Sequence, residues 1–237
     1  LKKQTYPLDI APNEATEIQR RLEKKIRLQP LDQNVKIIGG ADISYNRGSN
    51  LISAATVLLD YPSLQLSAVS LAQSTVNFPY IPGMLSFREL PTLLQAWKLI
   101  PPQHKPDLMI FDGHGVCHPR GIGLASHAGV MLNTPSLGIA KNPLYGSWDM
   151  PDSERGSYTK MTNENADQVQ LLGYALRSRT NVKPVFVSAG HLITQQEALH
   201  WALRVTPQYR ISEPIRFAHK WANKLRTQQE KPGFHRA

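Results

Sequence analysis

Three carboxylates in this chain stand where a carboxylate is costly or conspicuous. Asp112 ends the apolar run Leu108 to Phe111, and the next fifteen residues, through His127, hold four glycines and three histidines. No hydrophobic core needs that composition. A strand that stops at an acid and gives way to such backbone suits a site at the carboxyl edge of an open α/β sheet. Asp42 interrupts the otherwise apolar Ile37-Ile38-Gly39-Gly40-Ala41-Asp42-Ile43-Ser44. An acid there needs a cation, a hydrogen-bond network or water, and Gly39, Gly40 and Ala41 leave room beside it for a ligand or another backbone. An aspartate on an edge strand or facing a turn fits the same pattern. Glu89 closes Ser86-Phe87-Arg88-Glu89, which reads as a capping box, the favoured role for the glutamate taken singly; the helix entry also points it toward whatever the Pro79 to Gly83 loop touches, and the two roles need not exclude each other. If the three acids meet, their hard oxygens suit Mg²⁺ or Mn²⁺, and two such metal ions about 4 Å apart would activate water and stabilise the leaving oxygen of a phosphodiester. Zinc is disfavoured, since Cys117 is the sole cysteine.

Other residues fit the same chemistry with bland alternatives open. His114, His118 and His127 could be ligands, general acids or hydrogen-bonded loop residues. Lys141, after the apolar Ser136 to Ala140, could hold a phosphate or simply be solvated. Tyr80-Ile81-Pro82 is a stiff aromatic segment, either an apolar wedge of the kind that opens a duplex or a loop tucked onto the core.

The elements that must position these residues follow from periodicity. Pro12 to Arg27 reads as an amphipathic helix with Ala15, Ile18, Leu22 and Ile26 inward and Arg20, Arg21, Lys24 and Lys25 on a basic face. Val35 to Ser44, Leu51 to Asp60 and Leu64 to Val76 read as three strands joined by short turns, an antiparallel meander. Pro79, Pro82 and Gly83 exclude a regular element between Asn77 and Gly83. Ser86 opens a helix over Phe87 to Ile100, and a strand over Leu108 to Asp112, a buried helix over Gly121 to Leu132 and a strand over Ser136 to Ala140 imply parallel pairing. Asp149 to Gly156 reads as a polar loop. A hairpin is expected from Gln168 to Ser178 and Pro184 to Ala189 around Thr180-Asn181, with a helix over Gln168 to Arg177 as the alternative. Thr194 to Glu197 caps a helix ending at Arg204, and Ser212-Glu213-Pro214 begins a last one to about Arg226. Residues 1–11 and 228–237 are expected to be loose. This order outlines a ribonuclease H-like α/β fold: a mixed central sheet, three-strand meander plus parallel strands, flanked by helices.

The chain has 237 residues, enough for one domain with a substantial core, and carries 27 Lys and Arg against 18 Asp and Glu, a net charge of +9. Such a balance favours phosphate polymers as partners. The lone cysteine and the lack of a secretory or transmembrane run favour a reducing, cytoplasmic setting. Leu1 in place of an initiator methionine points to a trimmed chain, and a monomer is expected.

Taken together, Gly40-Ala41-Asp42, Pro79-Tyr80-Ile81-Pro82-Gly83 with Leu85-Ser86-Phe87-Arg88-Glu89, Asp112-Gly113-His114-Gly115 with His118-Pro119-Arg120, Ala125-Ser126-His127 and Gly138-Ile139-Ala140-Lys141 resemble the motif series of the endonuclease V family, over roughly Ile38 to His219. The resemblance implies a ribonuclease H-like enzyme that uses Mg²⁺, with Mn²⁺ as substitute, to nick the second phosphodiester bond 3′ to a deaminated base, chiefly hypoxanthine. By motif match Asp42, Glu89 and Asp112 become the metal carboxylates. Tyr80, Ile81, Pro82 and Gly83 become the wedge, and Leu85, Gly113 and Leu124 line the pocket for the flipped base. His118 lies near base and phosphate, Lys141 near the attacked phosphate, and His219 matches a histidine of some members. Inosine-containing DNA is the implied partner, with RNA open. A ribonuclease H-type or junction nuclease, or a non-catalytic nucleic-acid-binding module, would keep the same fold. Asp149 to Asn165 and both termini match nothing in the family.

Overall fold

The structure, a computed structural model, describes residues 10–163 and 169–237. Helix α1 (Pro12–Glu23) precedes the expected meander of β1 (Ile37–Ser44), β2 (Leu51–Asp60) and β3 (Gln65–Thr75), each paired antiparallel with its neighbour. The chain crosses through α2 (Leu85–Leu99) to β4 (Leu108–Phe111), which lies parallel to β1, and then through α3 (Leu124–Leu132) to β5 (Ser136–Ala140), parallel to β4. Strands β6 (Ser147–Trp148), β7 (Tyr158–Asn163), β8 (Gln170–Leu176) and β9 (Val185–His191) extend the sheet antiparallel beyond β5. Helices α4 (Gln195–Arg204) and α5 (Glu213–Arg226) follow, and β10 (Gly233–Arg236) closes the other edge, for an order β10-β3-β2-β1-β4-β5-β9-β8-β7-β6. This mixed sheet with a leading meander is the ribonuclease H-like arrangement.

Alternation along the strands divides the core into two layers. Ala54 of β2 joins Ala41, Met109 and Phe111 under Leu90 and Leu93 of α2 and Leu124 of α3. The next residue, Ala55, faces the other way and joins Val57, Val69 and Leu71 under Ala218, Ala222 and Leu225 of α5. Helix α5 lies directly on β1, where a Cβ at Gly40 would come 2.3 Å from the Pro214 carbonyl oxygen. Among the described residues no helix is long and apolar enough to cross a membrane.

Several expectations change. Helix α2 begins at Leu85 with Met84 as its N-cap, so Ser86 lies inside the first turn, where its hydroxyl meets His127 Nδ1 at 3.0 Å; there is no capping box, and Glu89 is released from that role. Helix α3 starts later than Gly121, because Gly121 is left-handed (φ +65°) and Gly123 is the extended N-cap. Helix α1 ends at Glu23, short of Arg27. The hairpin reading holds as β8 and β9, and the helix alternative over Gln168 to Arg177 fails; residue 168 itself lies outside the described residues. Strands β6 and β7 fall around the loop Asp149 to Gly156 and carry the sheet to its edge, β7 pairing with β8 and β6 with β7. The tail is not loose, since Gly233 to Arg236 pair with β3, and Phe234 packs against Leu58, Ala68 and Ile100 with His104 stacked on its ring at 5.8 Å. The looseness expected of residues 1–9 falls outside the described residues.

That strand covers the β3 edge from Ala68 to Leu71, and Phe234 anchors it. Phe234→Ala is expected to lower stability by about 2 kcal/mol, read as a lower urea midpoint at unchanged slope.

Candidate active site

Parallel strands end at one edge of the sheet, and this edge gathers the chemistry. Asp42 sits near the end of β1, Asp112 follows the last residue of β4 and Lys141 follows the last of β5. The second turn of α2 brings Glu89 from one face, and α5 brings His219 from the other. All five line one open cavity of about 530 Å³, together with Tyr80, Pro82, Gly83, Leu85, Gly113, His118 and Leu124. Thus the acids, the aromatic loop and the glycine-rich stretch share a single space. Ile81 turns down instead, against the cluster of Phe78, Phe87 and Ala15.

Glu89 is the most constrained of the acids. It is 8% exposed and pairs with no cation among the described residues. Burial raises its pKa well above the carboxylate range, and the charges of Asp42 and Asp112 raise it further. Burial and then Asp42 also raise Asp112, against the opposing pull of Lys141, whose Nζ bonds Asp112 Oδ2. Asp42 accepts from the Ile43 amide at 2.8 Å and from His219 Nδ1 at 2.8 Å. Like charges this close in a poorly hydrated corner call for a counter-charge that bridges them, and hard oxygens fit a hard divalent cation. Among the described residues no three ligating side chains converge to coordination distance here, because Asp112 turns to Lys141 and Asp42 to His219. The donor set fits such an ion in type and place, with Asp42 and Asp112 released from their present partners.

His219 is held by a chain of hydrogen bonds. Asn223, one turn later on α5, donates Nδ2 to His219 Nε2 at 2.9 Å, and its Oδ1 accepts from the Ser44 hydroxyl at 2.6 Å and from Arg226 Nη2 at 3.4 Å. Those contacts fix the amide's orientation and satisfy a neutral ring protonated on Nδ1. The Asp42 bond raises the His219 pKa, so the carboxylate favours a second ring proton that Asn223 leaves no acceptor to receive.

The three loop histidines divide. His127 is fully buried, bonded to Ser86 and edge-on to Phe87 at 5.1 Å, and so ties α3 to α2 away from the cavity. His118, 3% exposed, has both ring nitrogens engaged: Nδ1 accepts from the Arg120 amide at 3.1 Å and Nε2 donates to the Gly83 carbonyl at 2.9 Å. It lines the cavity while holding the loop above it. His114 meets the Asn142 carbonyl at 3.1 Å. Cys117 is buried against the Tyr145 carbonyl, and burial pushes its thiol up to about 12.

The glycines explain how this backbone is threaded. A Cβ at Gly115 would sit 2.0 Å from the Ala189 carbonyl oxygen, and one at Gly138 would sit 2.3 Å from that of Gly113. Side chains there would force the site stretch off the sheet. At Gly113 a Cβ would merely touch Leu124 at 3.4 Å, so both residues border the same corner.

Residues that sequence reasoning passed over also line the cavity. Tyr45 stands under the Arg88 guanidinium, 5.4 Å from its ring centroid, and Asn142, Pro143 and Leu144 form the rim beyond Lys141. Asn223 had one available signal, its i+4 spacing from His219.

A meander followed by parallel strands, with acids at the ends of β1 and β4 and a third from the crossing helix, defines a nuclease of the ribonuclease H-like class. Comparison with known proteins makes it particular. The family described as Endonuclease V matches residues 20–220. Endonuclease V of Methanothrix thermoacetophila is 46% identical over 211 residues, 89% of this chain and 90% of that one. The crystal structure of Endonuclease V from Streptomyces avermitilis is similar with a TM-score of 0.87 at 36% identity, covering 95% of this chain and 97% of that one. Ciona intestinalis endonuclease V, solved in complex with a 24mer DNA containing an inosine followed by a ribo-adenosine, gives 0.81 at 28% identity over 92% and 98%. The chain belongs to the endonuclease V family and is an endonuclease.

Burial around the site carries a pH signature. Burial pushes His114, His118 and His191 down to about 4 and His127 down to about 3, below the ordinary 6.5. The unfolded chain therefore binds more of these protons between about pH 6.5 and 4, and their contribution to stability is lost as pH falls through that window. Glu89 and Asp112, raised by burial, act in the opposite sense, so a difference measurement isolates the histidines. His118→Gln, which can still donate to Gly83, is expected to flatten the slope of unfolding free energy against pH by about one proton near pH 5, measured by urea unfolding across the window.

Proposed function

We propose that this enzyme nicks DNA at the second phosphodiester bond 3′ to a deaminated base, chiefly inosine, after opening the duplex and turning the base into a pocket. The observation that carries the reading is one shared cavity: the exposed Tyr80 and Pro82 border the same space as Asp42, Glu89 and Asp112. A wedge beside a cutting site is what an enzyme needs if it must extract one nucleotide and cleave close by. The DNA bound to the Ciona relative, which contains inosine, supports the same substrate class.

In this reading each group has a task. Asp42, Glu89 and Asp112 hold Mg²⁺, for which Mn²⁺ substitutes; the ion would supply Lewis acidity and a more acidic bound water at the scissile phosphate. Lys141 keeps a positive charge beside Asp112 for the phosphate oxygens, and His219 orients Asp42. Tyr80 to Gly83 part the strands, and His118 holds Gly83 beneath them. Leu85, Gly113 and Leu124 receive the base. Hypoxanthine presents a carbonyl and a ring N–H where adenine presents an amine and an acceptor, so fixed backbone amides can separate the two. The bare Gly113 lets the base approach that backbone.

The test is nicking of an inosine duplex in Mg²⁺ beside an adenosine control, on DNA and RNA in parallel. A cut two bonds to the 3′ side of inosine is expected, with the control intact and Asp112→Ala reduced by about a thousandfold or more. Equal cutting of the control, or full activity in Asp112→Ala, would overturn the reading.

A further inference from the structure

The wedge is fixed to the rest of the enzyme at two carbonyl groups. At its entry, Arg88 donates from Nη1 to the Phe78 carbonyl at 2.7 Å and from Nη2 to that of Ser49 at 3.0 Å. At its exit, the Gly83 carbonyl accepts from His118 Nε2 at 2.9 Å, Arg120 Nη2 at 2.6 Å and Gln19 Nε2 at 2.9 Å. Gln19 comes from α1, and its other amide atom, Oε1, accepts from Arg120 Nε at 2.5 Å. One side-chain amide therefore locks both the carbonyl and the guanidinium that grips it. Arg120 pairs with no carboxylate among the described residues, so neutral acceptors hold its charge in place.

Gln19 is fully buried, although it occupies the apolar stripe of α1 between Ala15 and Leu22. A glutamine in that stripe costs stability unless both ends of its amide are satisfied, and here both are. Around it, Ala15 and Ile18 of α1 pack against Phe78, Phe87 and Ile81, directly under the loop. Gly83 is left-handed, at φ +76°, so the chain reverses at the clamped carbonyl. Parting stacked bases pushes back on Tyr80 with a cost of a few kcal/mol per step, and a tip 65% exposed transmits that load to its base.

We propose that Gln19 is a positioning residue for strand opening, with α1 as the buttress that keeps the wedge rigid against the duplex. The inference rests on the inosine-nicking reading and adds to it an element outside the cavity. It follows that Gln19 matters where strands must be parted and little where inosine is already in a single strand.

Nicking rates for the full chain, Gln19→Met and Gln19→Glu, on inosine in duplex and in single-stranded DNA, test this. A parallel binding assay with Ca²⁺ in place of Mg²⁺ follows 2-aminopurine fluorescence beside the inosine. Gln19→Met keeps volume and loses both bonds; its kcat on duplex is expected to fall about tenfold or more, its single-strand rate to stay within about twofold, and the 2-aminopurine rise to shrink. Gln19→Glu keeps the acceptor for Arg120 and loses the donor to Gly83, so an intermediate duplex loss is expected, and this variant decides the matter if Gln19→Met does not fold. Equal losses on both substrates, or full duplex activity with an unchanged fluorescence rise, would overturn the role of Gln19. A wild-type chain that nicks neither inosine substrate would overturn the substrate reading instead.

Discussion

Mutual repulsion among Asp42, Glu89 and Asp112 is the constraint around which the molecule is built. Each comes from a different element, and Glu89 and Asp112 are both raised by burial before the neighbouring acids raise them further. Water would relieve this cheaply, but Glu89 is nearly dry, at 8% exposure. The surroundings therefore carry the compensation: Lys141 from the end of β5, and a relay from Arg226 through Asn223 to His219 and Asp42. Those partners lie at the ends of adjacent elements only because β1, β4 and β5 run parallel and neighbour one another. Topology and electrostatics are thus one problem here, since another strand order would separate the acids or strand them without cations.

Much of this was legible because it rests on local patterns. The meander, the parallel strands and the acid at the end of β4 follow from alternation, turn residues and the abrupt change at Asp112. Longer-range partners decide what was missed. Ser86-Phe87-Arg88-Glu89 matches a capping box letter for letter, yet Met84 starts the helix and the serine hydroxyl prefers a histidine 41 positions away. The tail gives no strand signal of its own, because Phe234 and one open edge of β3 do the work of a pattern. Gln19 was hidden for the opposite reason: helical periodicity assigns a lone polar residue to the edge of the apolar face, and only its partners on Gly83 and Arg120 reveal that it lies at the centre.

The glycines separate into two kinds. Gly40, Gly115 and Gly138 are required by backbone pressed against backbone, with the Pro214, Ala189 and Gly113 carbonyls occupying the space of a side chain. Gly40 lets α5 lie on β1, and Gly115 and Gly138 let the site stretch lie flat on β9 and β5. At Gly113 a Cβ would meet only the Leu124 side chain, at 3.4 Å and in ordinary contact, so no backbone occupies its place at the cavity wall. A composition count cannot tell such glycines apart, although their consequences for the site differ.

Two rigid connections join the Tyr80 loop to the acids. Arg88 and Glu89 are consecutive on α2, so the turn that grips the Phe78 carbonyl also carries a carboxylate into the cavity. On the other side, Asp112 and the gripping pair His118 and Arg120 belong to one stretch, threaded through Gly115 where no side chain fits. With both ends of the loop bound to elements that also hold acids, loop and carboxylates cannot move independently without breaking several hydrogen bonds. On the proposed reading this is how a fixed offset between the damaged base and the cut arises. The enzyme need not measure the strand, because the separation between its own wedge and its own carboxylates already has one value.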